Sequence, residues 1–195
     1  MIEKMEQIKK IIQSSIDVKK AVLENSDLLN TVLSITEIMV AALKSDRRIY
    51  FCGNGGSAAD AQHLAAELTG RFYTDRKALA AEALHCNTSY LTAVANDYGF
   101  DEIYARMIEG IAQEGDVLIG LSTSGNSKNI VKAFEKAKER NVIAISFTGE
   151  DGGALKHLSN YCINVPSTDT PRIQETHILI GHIICQLVEE KYFMH

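Results

Sequence analysis

The stretch from Ile49 to Leu68, IYFCGNGGSAADAQHLAAEL, constrains the fold of this chain more than any other. A short apolar run ends at Cys52, and a glycine-rich turn, Gly53-Asn54-Gly55-Gly56-Ser57, follows at once. An alanine-rich helical pattern then carries Asp60, His63 and Glu67. A strand that turns through glycines into a helix leaves unpaired backbone N–H groups at the helix start, where the positive end of the helix dipole also lies. Such a junction is a ready anion site.

The flanking segments extend this unit into an α/β fold. Residues 3–24 carry an apolar stripe, Met5, Ile8, Ile12 and Ile16, at helical spacing. After the break at Asn25-Ser26, Ser26 is placed to cap a second helix from Asp27 to about Lys44. That helix is apolar over much of its girth, through Leu28, Leu29, Val32, Leu33, Ile35, Ile38, Met39 and Leu43. The pair is an attached layer, buried either on this chain's own sheet or against another subunit. Further strands are expected at Leu79–Leu84, Val117–Leu121, Val142–Phe147 and Tyr161–Val165. Helices are expected at Thr88–Ala95, Glu102–Ile111, Ile130–Arg140 and Arg172–Glu190, the last after a linker from Pro166 to Pro171. This alternation predicts a parallel sheet covered on both faces, with right-handed crossovers. Ligands in such folds sit at the carboxyl ends of strands, so the polar loops after Cys52 and Leu121 should share one edge.

At 195 residues the chain is long enough for one domain with a substantial core. A net charge of −5 gives no reason to expect nucleic acid or an anionic membrane as partner. The densest basic stretch, Lys132 to Arg140, alternates with Glu135 and Glu139 and reads as a solvated helix face. The opening MIEKMEQIKK carries charges where a signal peptide needs an apolar core. The apolar run His177 to Val188 is too short to span a bilayer. Cys52, Cys86, Cys162 and Cys185 lack metal-ligand spacing and sit in apolar runs, which predicts reduced, mostly buried thiols in a cytoplasmic protein.

Gly53-x-Gly55-x-x-Ala58 matches the start of a dinucleotide fingerprint. The acidic residue that should end the next strand is misplaced, with Asp75 before the candidate strand and Glu82 inside it, so no nucleotide cofactor is expected. The loop Ser122-Thr123-Ser124-Gly125-Asn126-Ser127 is a better phosphate seat. Its four hydroxyls at a helix start exceed what a single cap requires, and neutral donors with a helix dipole suit a phosphate monoester. Asp60, His63 and Glu67 fall within roughly 60° of one another on a helix. A histidine and a carboxylate one turn apart can bind a metal or divide acid and base roles. The C-terminal helix is apolar around most of its girth, so its Gln174, His177 and His182 need partners. His177 and His182 point about 140° apart and are not expected to share a site.

Gly53-Asn54-Gly55-Gly56-Ser57, Ser122-Thr123-Ser124-Gly125-Asn126-Ser127 and Arg172-Ile173-Gln174-Glu175 together resemble the sugar isomerase (SIS) family, and within it the phosphoheptose isomerase branch. The resemblance covers essentially the whole chain. It implies a flavodoxin-like three-layer α/β/α sandwich, a single SIS domain over 1–195 whose N-terminal helical pair, about 1–45, packs in a homotetramer, and active sites near subunit interfaces. It implies aldose–ketose isomerisation of sedoheptulose 7-phosphate to D-glycero-D-manno-heptose 7-phosphate, for the heptoses of bacterial lipopolysaccharide and capsule. Matched to the family's motifs, Ser122, Thr123, Ser124 and Ser127 hold phosphate, and Asn54, Gly55, Gly56, Asn96 and Asp97 are further substrate contacts. Glu67 and His182 are the acid/base pair, and Glu67 and Gln174 also touch substrate. His63, Glu67, Gln174 and His182 match the positions that hold zinc in some members, and Asp60 and Arg71 also fall on the pattern. Other readings within the family are a non-catalytic protein, of the DnaA-binding replication-initiation type or a phosphosugar sensor, and an isomerase of another phosphosugar. The presence of both Glu67 and His182 argues against the first.

Overall fold

Residues 2–193 are described by a computed structural model. Five strands, β1 (Ile49–Gly53), β2 (Ala81–Ala83), β3 (Val117–Leu121), β4 (Ile143–Thr148) and β5 (Tyr161–Asn164), form one sheet in the order β2-β1-β3-β4-β5. Every neighbouring pair is parallel. All residues of β1 and β3 are buried, as expected where helices cover both faces of a parallel sheet. The side chains of each strand alternate between two cores. Ile49, Phe51, Val117, Ile119, Leu121, Ile145 and Phe147 pack with α2 (Ser26–Lys44), α3 (Gly56–Thr69) and α8 (Thr170–Phe193). Tyr50, Cys52, Leu118 and Ala144 pack on the other face with α4 (Thr88–Asp97), α5 (Ile103–Ile111), α6 (Lys128–Glu139) and the short α7 (Leu155–Leu158). The result is the expected three-layer α/β/α sandwich.

The chain leaves β1 for β2 on one side and returns to β3 on the other. The strand order therefore reverses between β1 and β3, and a crevice opens there at the carboxyl edge. The loops after β1 and β3 are the two polar glycine loops, so they share that edge.

Several boundaries differ from the sequence expectation. The cap of α2 is Asn25, whose side chain accepts from the N–H of Leu28, so Ser26 is already helical. β2 shrinks to Ala81–Ala83, because only this part reaches the register with β1. The helix α4 runs on through Asn96 and Asp97 to a cap at Tyr98, whose N–H bonds to the carbonyl of Val94. α8 begins at Thr170, with Pro171 in its first turn, where the missing N–H costs nothing. Cys86 is exposed, not buried, because it lies in the turn after β2 rather than in the strand.

The N-terminal helices divide between the two placements. α2 sends Leu28, Val32, Ile35, Met39, Val40 and Leu43 into the core. By length and composition it could cross a membrane, and here that apolarity packs on the sheet and α8. The other helix, α1 (Ile2–Leu23), leaves Met5, Ile8, Ile11, Ile12 and Ile16 between 41% and 55% exposed. It is tied to α8 by polar contacts. Ser15 donates to Glu175 at 2.6 Å, and Arg172 donates to the Ile11 carbonyl at 3.0 Å.

One buried acid organises the end of α3. Glu189 on α8 is 1% exposed and accepts from the backbone N–H groups of Phe72, Tyr73 and Thr74 at 3.1, 3.0 and 2.9 Å, and from Arg76 Nε at 2.8 Å. Arg76 in turn donates to the carbonyls of Glu67 and Leu68, which end α3 without intrahelical partners. Burial alone would raise the Glu189 carboxyl, but Arg76 and the three N–H groups bring it down to about 2. The folded state therefore holds this proton less tightly than the unfolded chain does. The stabilisation is complete above the ordinary carboxylate range and is lost as pH falls toward about 2. Glu189→Ala should cost about 3 kcal/mol or more, because it strands the Arg76 charge. Denaturant midpoints measured from neutral to acid pH should fall less steeply in the variant than in the unaltered chain. Parallel pH profiles would remove Glu189 from this role.

Candidate active site

The glycine turn and the serine loop both open helices without side-chain caps. Gly55 precedes α3 with no side chain to offer, and Ser127 precedes α6 but makes no cap bond. By contrast, Asn25 and Asn87 cap α2 and α4. The Ser127 hydroxyl instead meets the Ser122 hydroxyl at 2.9 Å, so the serine loop is not an ordinary helix cap. Two helix starts with uncapped N–H groups thus flank the β1–β3 crevice, an arrangement that favours an anion. At Gly125 a Cβ would lie 2.1 Å from the Gly152 carbonyl oxygen, so only glycine lets the serine loop close against the loop after β4. A cleft of about 310 Å³ opens beside it, lined by Thr123, Ser124, Gly149, Ser167, Thr170 and Ile173 among others.

The expected chemistry lies farther along α3. His63 Nε2 stands 3.0 Å from His182 Nε2 and 3.3 Å from Glu67 Oε1. One candidate ligand atom from each of His63, Glu67 and His182 lies within 4.8 Å of the other two. This cluster exists because α3 and α8 run side by side in the same direction. Gln174 lies over Gly56, Leu64 meets Gly181, and the N–H of Phe72 meets Glu189. A Cβ at Gly181 would fall 2.6 Å from Leu64, so the close approach depends on glycine at that point. The His63 side chain is half exposed and that of Glu67 about one-fifth, so the cluster is open to a ligand. Burial and the neighbouring His63 lower the basicity of His182, with Glu67 opposing. Burial raises the Asp60 carboxyl, with His63 opposing.

Of the expected metal set, His63, Glu67 and His182 are brought together. The Gln174 amide lies over Gly56 at the start of α3. Two histidines with a glutamate are the donor set of a common catalytic zinc centre. Their nitrogens stand near the roughly 3.3 Å separation of two ligands on a tetrahedral zinc. His177 is elsewhere, as expected. It is fully buried, its Nε2 donates to the Thr148 carbonyl at 3.1 Å, and burial lowers it to about 4. Asn96 and Asp97 are exposed at the end of α4, with Asn96 donating to Asp97 at 2.8 Å. No hydrogen bond among the described residues joins them to the loops or to the histidine pair. Arg71 is exposed just beyond α3.

Three residues of this region were not singled out from the sequence. Asn129 bonds reciprocally with Asn54, the Phe72 ring stands 5.7 Å from that of His182, and the Tyr104 hydroxyl donates to the Gly53 carbonyl. Asn129 had a readable signal, because it is the polar member of the buried stripe Ile130, Ala133, Phe134 and Ala137. The other two had none, since ordinary core aromatics look the same.

Comparison with known proteins agrees with this geometry. Residues 3–149 match the SIS domain family. The chain is 51% identical over 186 residues to the phosphoheptose isomerase of Aneurinibacillus thermoaerophilus, covering 95% of this chain and 94% of that one. It is 50% identical to phosphoheptose isomerase 2 of Campylobacter jejuni, covering 95% and 92%. The solved structure of phosphoheptose isomerase from Neisseria gonorrhoeae superposes with a TM-score of 0.90 at 41% identity, over 95% of this chain and 98% of that one. That from Francisella tularensis gives 0.92 at 34% identity, over 96% and 98%. The chain belongs to the SIS domain family, and within it to the phosphoheptose isomerases.

Proposed function

We infer that this protein is an aldose–ketose isomerase converting sedoheptulose 7-phosphate to D-glycero-D-manno-heptose 7-phosphate, in the synthesis of heptose for bacterial lipopolysaccharide or capsule. The observation that carries the reading is the separation of two functions along α3. The anion seat lies at the helix start, and the His63–Glu67–His182 cluster begins about 10 Å farther along the axis. In a heptose 7-phosphate the phosphate and the reacting C1–C2 pair lie at opposite ends of the carbon chain, which suits this spacing. The proximity of His63, Glu67 and His182 supports a catalytic role over a sensor or a replication-initiation factor.

In this reading Ser122, Thr123, Ser124 and Ser127, with the positive ends of the two helices, hold the phosphate. Asn54, Gly55, Gly56 and Gln174 line the path from it. Glu67 takes a proton from C1 of the ketose, and the C–H electron pair becomes the second bond of the enediol as the C2 oxygen gains a proton. Glu67 then returns a proton to C2 as the C1 hydroxyl loses its own and the C1 carbonyl forms. His182, whose basicity burial and His63 lower, moves protons between the two oxygens. His63, Glu67 and His182 would hold a zinc ion, which when bound supplies a Lewis acid for the substrate oxygens. The exposed position of Asn96 and Asp97 fits substrate contacts made across a subunit interface. The exposed stripe of α1 fits packing of the N-terminal pair in a homotetramer of single SIS domains. The four unpaired cysteines fit a reducing cytoplasm.

A coupled assay offering heptose, hexose and pentose phosphates side by side should show turnover of the heptose. Glu67→Gln should lower that turnover about a hundredfold or more while phosphate-ester binding changes little. Failure to convert any of the three would favour a binding protein, and near-normal turnover in the variant would displace Glu67 as base. Elemental analysis should find zinc that His63→Ala and His182→Ala both release. Metal-free protein with full activity would exclude an essential ion. Sedimentation should give a tetramer that Ile12→Glu weakens, and a monomeric unaltered chain would refute the assembly.

A further inference from the structure

We propose that Asn129 is a positioning residue whose amide clamps Asn54, and so sets the glycine turn at a defined distance from the serine loop. The proposal rests on the phosphosugar reading of the site. Asn54 Nδ2 donates to Asn129 Oδ1 at 2.9 Å, and Asn129 Nδ2 donates back to Asn54 Oδ1 at 2.8 Å. Asn54 directly follows β1 and Asn129 lies in the first turn of α6, so the pair spans the crevice where the strand order reverses. On either side of that crevice the chain departs to opposite faces of the sheet, α3 to one core and α6 to the other. The strands β1 and β3 pair as far as Gly53 and Leu121, and beyond them the Asn54–Asn129 amides join the two helix starts.

Asn129 is 2% exposed and occupies a stripe otherwise made of Ile130, Ala133, Phe134 and Ala137. An apolar side chain would fill that place without desolvating an amide, so packing alone does not account for asparagine. The reciprocal bonds also fix which way the Asn54 amide faces, because one amide cannot flip without the other. Asn54, partly exposed at the crevice, then presents its remaining N–H and lone pair in one direction. Two helix starts can converge on one anion only while their separation is held, and holding it beforehand removes an ordering cost from binding.

The test compares Asn129→Ala, which removes bonds and volume, with Asn129→Leu, which keeps the volume. Both should raise KM for sedoheptulose 7-phosphate, and Kd for inorganic phosphate by calorimetry, about tenfold, the scale of one or two net hydrogen bonds. The change in kcat should stay within about threefold, since the group acts on binding. Asn54→Ala combined with Asn129→Ala should be no worse than Asn54→Ala alone, because that change already deletes the pair along with the substrate contact of Asn54. If Asn129→Leu restores KM and Kd to their original values, the residue serves packing and the clamp is wrong. Independent, multiplying losses in the double variant would also overturn it. If the unaltered chain turns over no phosphosugar, the isomerase reading fails by itself, and the phosphate titrations still decide the clamp.

Discussion

Leu64 packs against α8 where Gly181 has no side chain, and the candidate site depends on that contact. A Cβ at this point would push the helices apart. Because α3 and α8 both leave strands at the carboxyl edge, they run in the same direction and stay in step along their length. Residues far apart in sequence are thereby paired in order, Gly56 with Gln174, His63 with His182 and the end of α3 with Glu189. The Glu189–Arg76 pair closes the far end of this alignment and satisfies the carbonyl of Glu67 itself, so a buried ion pair helps to hold the proposed base.

The parallel sheet supplies the second constraint. It sends the loops after β1 and β3 to one edge, on either side of the point where the strand order reverses. Both loops start helices that no side chain caps, in a chain that caps α2 and α4 with asparagines. The difference is local and chemical. Asparagine caps serve structure at Asn25 and Asn87, whereas at Asn54 the same side chain is turned to Asn129.

Much of this was legible in the sequence because it is carried by short-range pattern. The apolar runs at Ile49, Val117 and Val142, the glycine turn, the serine loop and the helical spacing of His63 and Glu67 all describe neighbours along the chain. The differences came where distant partners decide. β2 is trimmed to the residues that find β1, Cys86 falls outside it and becomes exposed, and α4 continues over Asn96 and Asp97. Of the two N-terminal helices, α2 is apolar over much of its girth and α1 only along one stripe, and packing decides that the stripe of α1 stays exposed.

By itself the sequence determined the fold class, the sheet edge shared by the two polar loops, and the helix face on which His63 and Glu67 lie together. These follow from period, glycine placement and strand–helix alternation, which act over a few residues. Only the tertiary structure decided how closely His182 approaches His63, that the Gln174 amide lies over Gly56, and that Asn129 holds Asn54. Those pairings depend on how closely helices approach across a glycine and how a sheet divides its helices between two faces. Such relations are set by packing between segments distant in the chain, and local pattern does not encode them.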